Sequence, residues 1–179
     1  MTASRRGRMK AVVDRYEQQL VGYAQRLTGD IEHARDVVQE TLLRFWRADR
    51  NVIVGREAEW LFTVCRNLCI DSRRRQRRVE PASGSAVMEQ AESPLPTPGV
   101  LAELKDDQDR LLGFVAELPP REQEVLRLRL QSGLTYGEIA RVTGTTVNNV
   151  GVTLYNALRS LRRRLDEDAA PRRQKGGGP

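Results

Sequence analysis

Apolar residues recur every three to four positions through most of this chain, and the breaks in that rhythm divide it into helices. Val13, Tyr16, Leu20, Tyr23, Ala24 and Leu27 mark one helical face that stops at Gly29, where Asp30 is placed to cap the next helix. That second helix sets Ala34, Val37, Val38, Thr41, Leu42 and Phe45 on one side, with Trp46 beside them. Arg35, Asp36, Gln39, Glu40, Leu43, Arg44 and Arg47 fall largely outside the stripe. Leu43, an apolar residue on an outward face among Asp36, Gln39, Glu40 and Arg47, suits a protein docking surface. Residues 48–58 lose the helical period and read as a loop around Gly55. A third helix then buries Leu61, Val64, Cys65 and Leu68, leaves Asn67, Asp71 and Arg74 on another face, and closes with five arginines between 73 and 78. A helix C-terminus favours those charges, and a phosphate backbone would favour them more.

Residues 79–100 hold Pro81, Pro94, Pro96 and Pro98 among serines and glycines with no apolar period, and read as a flexible tether between independently moving lobes. The period returns with Leu111, Leu112, Val115 and Leu118, breaks at Pro119 and Pro120, and resumes with Val125 and Leu128 up to Gly133. Beyond it, LTYGEIARVTGTTVNNVGVTLYNALRSLRRRL has the outline of a helix-turn-helix. Thr135 and Glu138 form a T-x-x-E capping pair, Gly144 falls at the turn, and Thr145 or Thr146 can cap the second helix. Its apolar stripe runs Val150, Leu154, Ala157, Leu158, Leu161 and Leu165. Asn148, Asn149, Thr153, Asn156, Arg159 and Arg163 lie off it. An ordinary amphipathic pair has the same periodicity, but a solvated face usually mixes both charges. This one has no acidic residue between Gly144 and Leu165 and ends in arginines, which suits a polyanion.

Charge sharpens the division. The net +6 separates into +7 over residues 1–78, −4 over 79–106 and +3 over 107–179, two basic lobes flanking an acidic, proline-bearing connector. A nucleic acid touching both lobes is the economical partner. The expected fold is all-α: two small helical domains joined by a flexible linker, the second containing the helix-turn-helix. The boundaries fall at 10–78, 79–106 and 107–165, with residues 1–9 and 166–179 as disordered tails. No apolar run is long enough to span a membrane and no apolar signal segment follows the first residues, so a cytoplasmic protein is expected. Cys65 and Cys69 share one helix and read as core residues, while the only histidine, His33, is distant; neither a metal site nor any cofactor is expected.

The order and spacing of these segments resemble the sigma-70 family of bacterial transcription initiation factors, in its small extracytoplasmic-function group, over about residues 10–78 and 107–165. ARDVVQETLLRFWR looks like the group's polymerase-docking helix, WLFTVCRNLCIDSRRR like its minus-10 helix, and LPPREQEVLRLRLQSGLTYGEIARVTGTTVNNV like the start of its minus-35 domain. The resemblance implies docking of Asp36, Gln39, Glu40 and Arg47 on the β′ coiled coil of core RNA polymerase. It implies minus-10 contacts by Asn67 and Asp71, helped by the loop from Asn51 to Arg56, with Arg73, Arg74, Arg75 and Arg77 on phosphates. Trp60 or Phe62 could wall an extruded base, although packing is the ordinary use of both. Minus-35 contacts would come from Thr146, Asn148, Asn149, Thr153, Asn156, Arg159 and Arg163, the later arginines also facing the β flap. Where many relatives carry basic residues early in the recognition helix, this chain has Gly151, Thr153 and Asn156. An anti-sigma protein is a further candidate partner.

A promoter-specificity subunit without an active site is the leading reading. The runner-up is a stand-alone regulator of duplex DNA, with residues 10–78 as a dimerisation or sensor domain; such a regulator has no need of a second basic helix bearing Asn and Asp. A nuclease would need clustered carboxylates for metal ions, or a nucleophile with a base, and the sequence offers neither pattern.

Overall fold

In the computed structural model, which describes residues 5–79 and 110–175, two helical lobes form, with no strand among the described residues. The first comprises α1 (Arg5–Thr28), α2 (Ile31–Arg47), the short α3 (Arg50–Ile53) and α4 (Glu57–Val79). Gly29 ends α1 with φ 79°, a conformation that costs glycine least, and the Asp30 side chain then accepts from the His33 amide at 2.6 Å to start α2. Ala34, Val37, Val38, Thr41, Leu42 and Phe45 are all buried, as the stripe predicts. They pack with Leu20, Tyr23 and Ala24 of α1 and with Leu61, Phe62, Cys65 and Cys69 of α4. Phe62 meets Tyr23 edge-on at 5.3 Å and Trp60 meets Phe45 at 5.8 Å, so both aromatic residues of α4 serve packing. Its hydrogen bond to Cys69, and then burial, push the Cys65 thiol up, which keeps it a packing group.

The second lobe comprises α5 (described over 110–116), α6 (Pro120–Leu130), α7 (Tyr136–Thr143) and α8 (Val147–Lys175). Buried Gln123 of α6 donates through Nε2 to the carbonyls of Ala116 and Leu118, both at 2.8 Å, satisfying the end of α5. Val115 and Leu118 are buried, but Leu111 and Leu112 are exposed because the core meets this segment only at its C-terminal end. The capping box forms as predicted: Thr135 Oγ1 accepts from the Glu138 amide and Glu138 accepts from the Thr135 amide. Gly144 takes φ 67°, ψ 35° at the turn, and Thr146 Oγ1 caps α8 by accepting from the Asn149 amide at 3.2 Å.

Several expectations need correction. Residues 48–58 are not all loop, because α3 forms within them and plants Ile53 in the core at 1% exposure. The tails are shorter than the apolar period implies: α1 already begins at Arg5, and α8 continues to Lys175. Charged side chains carry the helix past the apolar stripe at both ends. Lys10 pairs with Asp14 at 2.6 Å and Arg8 lies over the Phe45 ring at 5.0 Å, while Arg163 and Arg110 reach Glu167 and Asp168 at 3.9 Å. Apart from Val79 the tether expected over 79–106 lies outside the described residues, as do residues 1–4 and 176–179. The lobes are also not merely tethered, since α4 packs directly on α7.

Candidate nucleic-acid interface

Three exposed faces carry the residues that the sequence singles out. On α2, Asp36, Gln39, Leu43 and Arg47 follow one another at helical spacing on the side away from the core. Leu43 is 49% exposed, with Trp46 beside it, and Glu40 accepts from Arg44 Nε at 2.7 Å. An apolar centre inside a charged rim is the anatomy of a protein-contacting patch.

The second face belongs to α3 and α4. Asn67 and Asp71 stand one turn apart on α4, both exposed and without a partner among the described residues, and exposed Arg73, Arg74 and Arg75 follow. The side chain of Arg77 lies outside the described residues. Ile53 anchors the preceding loop, the Arg56 amide donates to its carbonyl at 2.9 Å, and Asp49 accepts from the Asn51 amide at 2.9 Å. Asn51 and Arg56 are both exposed, Arg56 with its guanidinium on Glu59. The face therefore gathers amide and carboxylate groups able to pair with a base edge, beside a row of cations able to hold phosphates.

The third face is on α8. Val150, Leu154, Ala157 and Leu161 are buried at spacings of four, three and four, the period of one helical stripe. Leu158 and Leu165, predicted to join them, are exposed at 53% and 45%. Leu158 lies about 100° around the helix from Ala157, and Leu165 sits a turn past the last buried position. Thr153 also departs from expectation: it is buried, and its hydroxyl donates to the Asn149 carbonyl at 2.7 Å, so it points away from the open face. Asn148, Val152, Asn156, Arg159 and Arg163 form that face, with Tyr155 alongside. Thr146 is occupied as the cap. Asn149 is half-buried, its amide nitrogen 2.8 Å from Thr145 Oγ1, which also accepts from Arg121 at 2.7 Å.

Val152, Tyr155 and Arg121 are the members of this surface that sequence reasoning passed over. The first two carried a signal, being large apolar residues off the buried stripe of an otherwise polar face; an aliphatic group there can meet a thymine methyl. Arg121 carried none, because its contact with Thr145 joins α6 to the turn between α7 and α8, 24 positions away. An alanine Cβ at Gly151 would meet Tyr136 at 3.8 Å, an ordinary contact, so nothing among the described residues demands a glycine there.

Among the described residues no group of His, Cys, Asp and Glu is arranged to hold a metal ion, and no described helix is long and apolar enough to cross a membrane.

Known proteins match along the same lines. Residues 12–79 match Sigma-70 region 2 and residues 108–161 match Sigma-70, region 4. The ECF RNA polymerase sigma factor SigL of Mycobacterium tuberculosis is 36% identical over 165 residues, covering 89% of each chain. BldN of Streptomyces coelicolor, also an ECF RNA polymerase sigma factor, is 33% identical over 87% of this chain and 60% of its own length. Among solved structures, the sigma factor RpoE of Bartonella quintana, crystallised with the anti-sigma factor NepR, superposes with a TM-score of 0.67 at 23% identity. It covers 89% of this chain and 97% of its own. CnrH, in complex with the cytosolic domain of CnrY, gives a TM-score of 0.58 at 22% identity over 93% and 92%. These two likenesses concern the fold.

Proposed function

We infer the function from one premise: the chain belongs to the sigma-70 family of RNA polymerase sigma factors, in its extracytoplasmic-function (ECF) group. It is a transcription initiation factor that binds core RNA polymerase and directs it to promoters, acting as a specificity subunit with no active site of its own. The observation that carries this reading is the conjunction, on one chain, of a protein-contacting face on α2 and two separate DNA-suited helices, α4 and α8. A stand-alone regulator would use α8 and leave the exposed Asn67, Asp71 and arginines of α4 without a purpose.

Within that function, Asp36, Gln39, Glu40 and Arg47 dock on the β′ coiled coil, with Leu43 supplying apolar contact at the centre of the patch. Asn67 and Asp71 take the bases of the opened minus-10 strand, the loop carrying Asn51 and Arg56 receives an extruded base, and Arg73, Arg74, Arg75 and Arg77 hold the backbone. On α8 the minus-35 element is read by Asn148, Asn156 and Val152, with Arg159 and Arg163 on phosphates or on the β flap. Asn149 contributes from the edge of this face, whereas Thr146 and Thr153 support the helix backbone. An anti-sigma protein is a further expected partner.

The test is reversal of charge at Asp36→Lys with Glu40→Lys, followed by measurement of affinity for core polymerase. The new lysine beside Arg44 costs the helix only about 0.5 kcal/mol, so the lobe stays folded. Affinity should fall; an unchanged affinity removes α2 as the docking surface.

A further inference from the structure

The two lobes meet through two carboxylates. Glu59 of α4 is buried at 6% exposure, and its oxygens accept from Nε and Nη2 of Arg141 on α7, both at 2.8 Å. Arg56 shares the same carboxylate, at 2.6 Å from Oε1. Glu124 of α6 is the reciprocal contact: Oε1 accepts from Arg66 Nε of α4 at 2.9 Å and from the Tyr23 hydroxyl of α1 at 2.7 Å. Glu59 and Arg66 lie two turns apart on one face of α4, so a single helical stripe carries both contacts. Each lobe thus offers the other a carboxylate and a guanidinium; Arg141 grips Glu59 as a two-nitrogen fork, while Arg66 reaches Glu124 through Nε alone beside the Tyr23 hydroxyl.

These contacts have a consequence for DNA. A helix-turn-helix that reads duplex DNA inserts its second helix in the groove while the first crosses the backbone. Here the first helix, α7, lies on α4. The 30 residues between Val79 and Arg110 could span up to about 100 Å, so the covalent connection does not hold α7 there. The side-chain contacts do.

We propose that the free chain rests in a closed state latched by Glu59–Arg141 and Glu124–Arg66/Tyr23, in which α7 is withheld from promoter DNA, and that engagement of a promoter requires the latch to open. This rests on the reading of α8 as the minus-35 helix. Glu59 occupies the place at Arg141 that a backbone phosphate can take, since carboxylate and phosphate fit the same fork. Opening therefore exchanges one anion for another at Arg141. Arg56 keeps Glu59 partnered once Arg141 leaves, so the open lobe contains no orphaned buried charge.

The test uses the full-length chain with spin labels on Glu32→Cys and Leu130→Cys, both on exposed positions outside the latch; Cys65 and Cys69 are buried. Free wild type should give one narrow inter-label distance. The Glu59→Gln, Glu124→Gln variant should give a broad, longer distribution with the helical signal retained. Arg141→Gln, at an exposed side chain, should broaden it as well and is the variant least able to disturb folding. A narrow distance unchanged in the double Gln variant, or a broad one already in wild type, overturns the latch. That measurement needs neither polymerase nor DNA, so its failure leaves the promoter reading intact. Binding of the free chain to a duplex bearing its selected minus-35 sequence then tests inhibition. If the open state is about a tenth populated, unlatching raises affinity about tenfold, and equal affinity of latched and unlatched chains refutes withholding.

Discussion

Ile53 offers a way to separate promoter opening from everything else the first lobe does. Among the described side chains from Asp49 to Arg56 it is the buried one, while Asn51, Val54 and Arg56 are exposed, so this single side chain pins the loop proposed to receive an extruded base. Truncating Ile53 to Ala removes a fully buried branched side chain, a change that costs about 2 to 5 kcal/mol in a core. A four-residue helix cannot absorb that loss, and the loop should come away locally instead of unfolding the lobe. Even the lower figure, about 2 kcal/mol, corresponds to roughly a thirtyfold drop in the ratio of correctly placed to displaced loops. Promoter opening, followed by permanganate reactivity of unpaired thymines, should therefore fall, by as much as about thirtyfold for that figure, while binding to core polymerase through α2 persists. Phe62→Ala is the control: at 0% exposure in the lobe's centre it should cost about 3 to 5 kcal/mol and lower the melting temperature outright. If Ile53→Ala opens promoters at the wild-type rate, the loop has no part in strand opening.

On α8, Asn156→Ala should relax preference at one or two base positions with little change in salt dependence. Arg163→Ala should weaken all sequences alike and flatten the salt slope by about one unit; selection from a random pool separates them, and identical preferences for wild type and Asn156→Ala would strike Asn156 from the readers. Gly144→Ala meets no atom within 4 Å of its new Cβ, so its cost is the backbone strain of φ 67°, about 1 to 2 kcal/mol, readable as a lowered thermal midpoint. An unchanged midpoint would mean the turn relaxes out of that conformation. The Glu59 carboxyl is held below the usual glutamate range, chiefly by the hydrogen bond from Arg141. A depressed carboxyl contributes stability that is complete above the ordinary value of 4.5 and lost as pH falls through the depressed one. Acid should thus part the lobes before their cores melt, and separation seen only together with loss of helix would contradict that order.

Local rules carried most of the helices in both lobes. The α2 stripe from Ala34 to Phe45, the caps at Asp30 and Thr135 and the turn at Gly144 each depend on residues within four positions, where periodicity and capping chemistry are strong. What escaped is of longer range. Ile53 looks like an ordinary loop residue until a core exists to receive it. Thr153 sits on the polar side of a helical wheel, yet its hydroxyl finds the carbonyl one turn back and can be buried at no loss of hydrogen bonding. The latch was invisible for the same reason, since Glu59 and Arg141 are 82 positions apart and either alone reads as one more charge on a solvated face. The resemblance to a known family supplied roles for Asn67 and Asp71 that composition alone could not, and the structure leaves both exposed.

The central claim, that this chain gives core RNA polymerase its promoter specificity, is most directly tested by transcription from a random promoter library with core polymerase and the purified chain. Transcripts should start downstream of a shared two-part element, with α4 substitutions such as Asn67→Ala altering the nearer part and α8 substitutions such as Asn156→Ala the farther. Polymerase that starts at the same positions with and without the chain, while the chain alone selects a single duplex site, would contradict the claim and leave a stand-alone DNA-binding regulator.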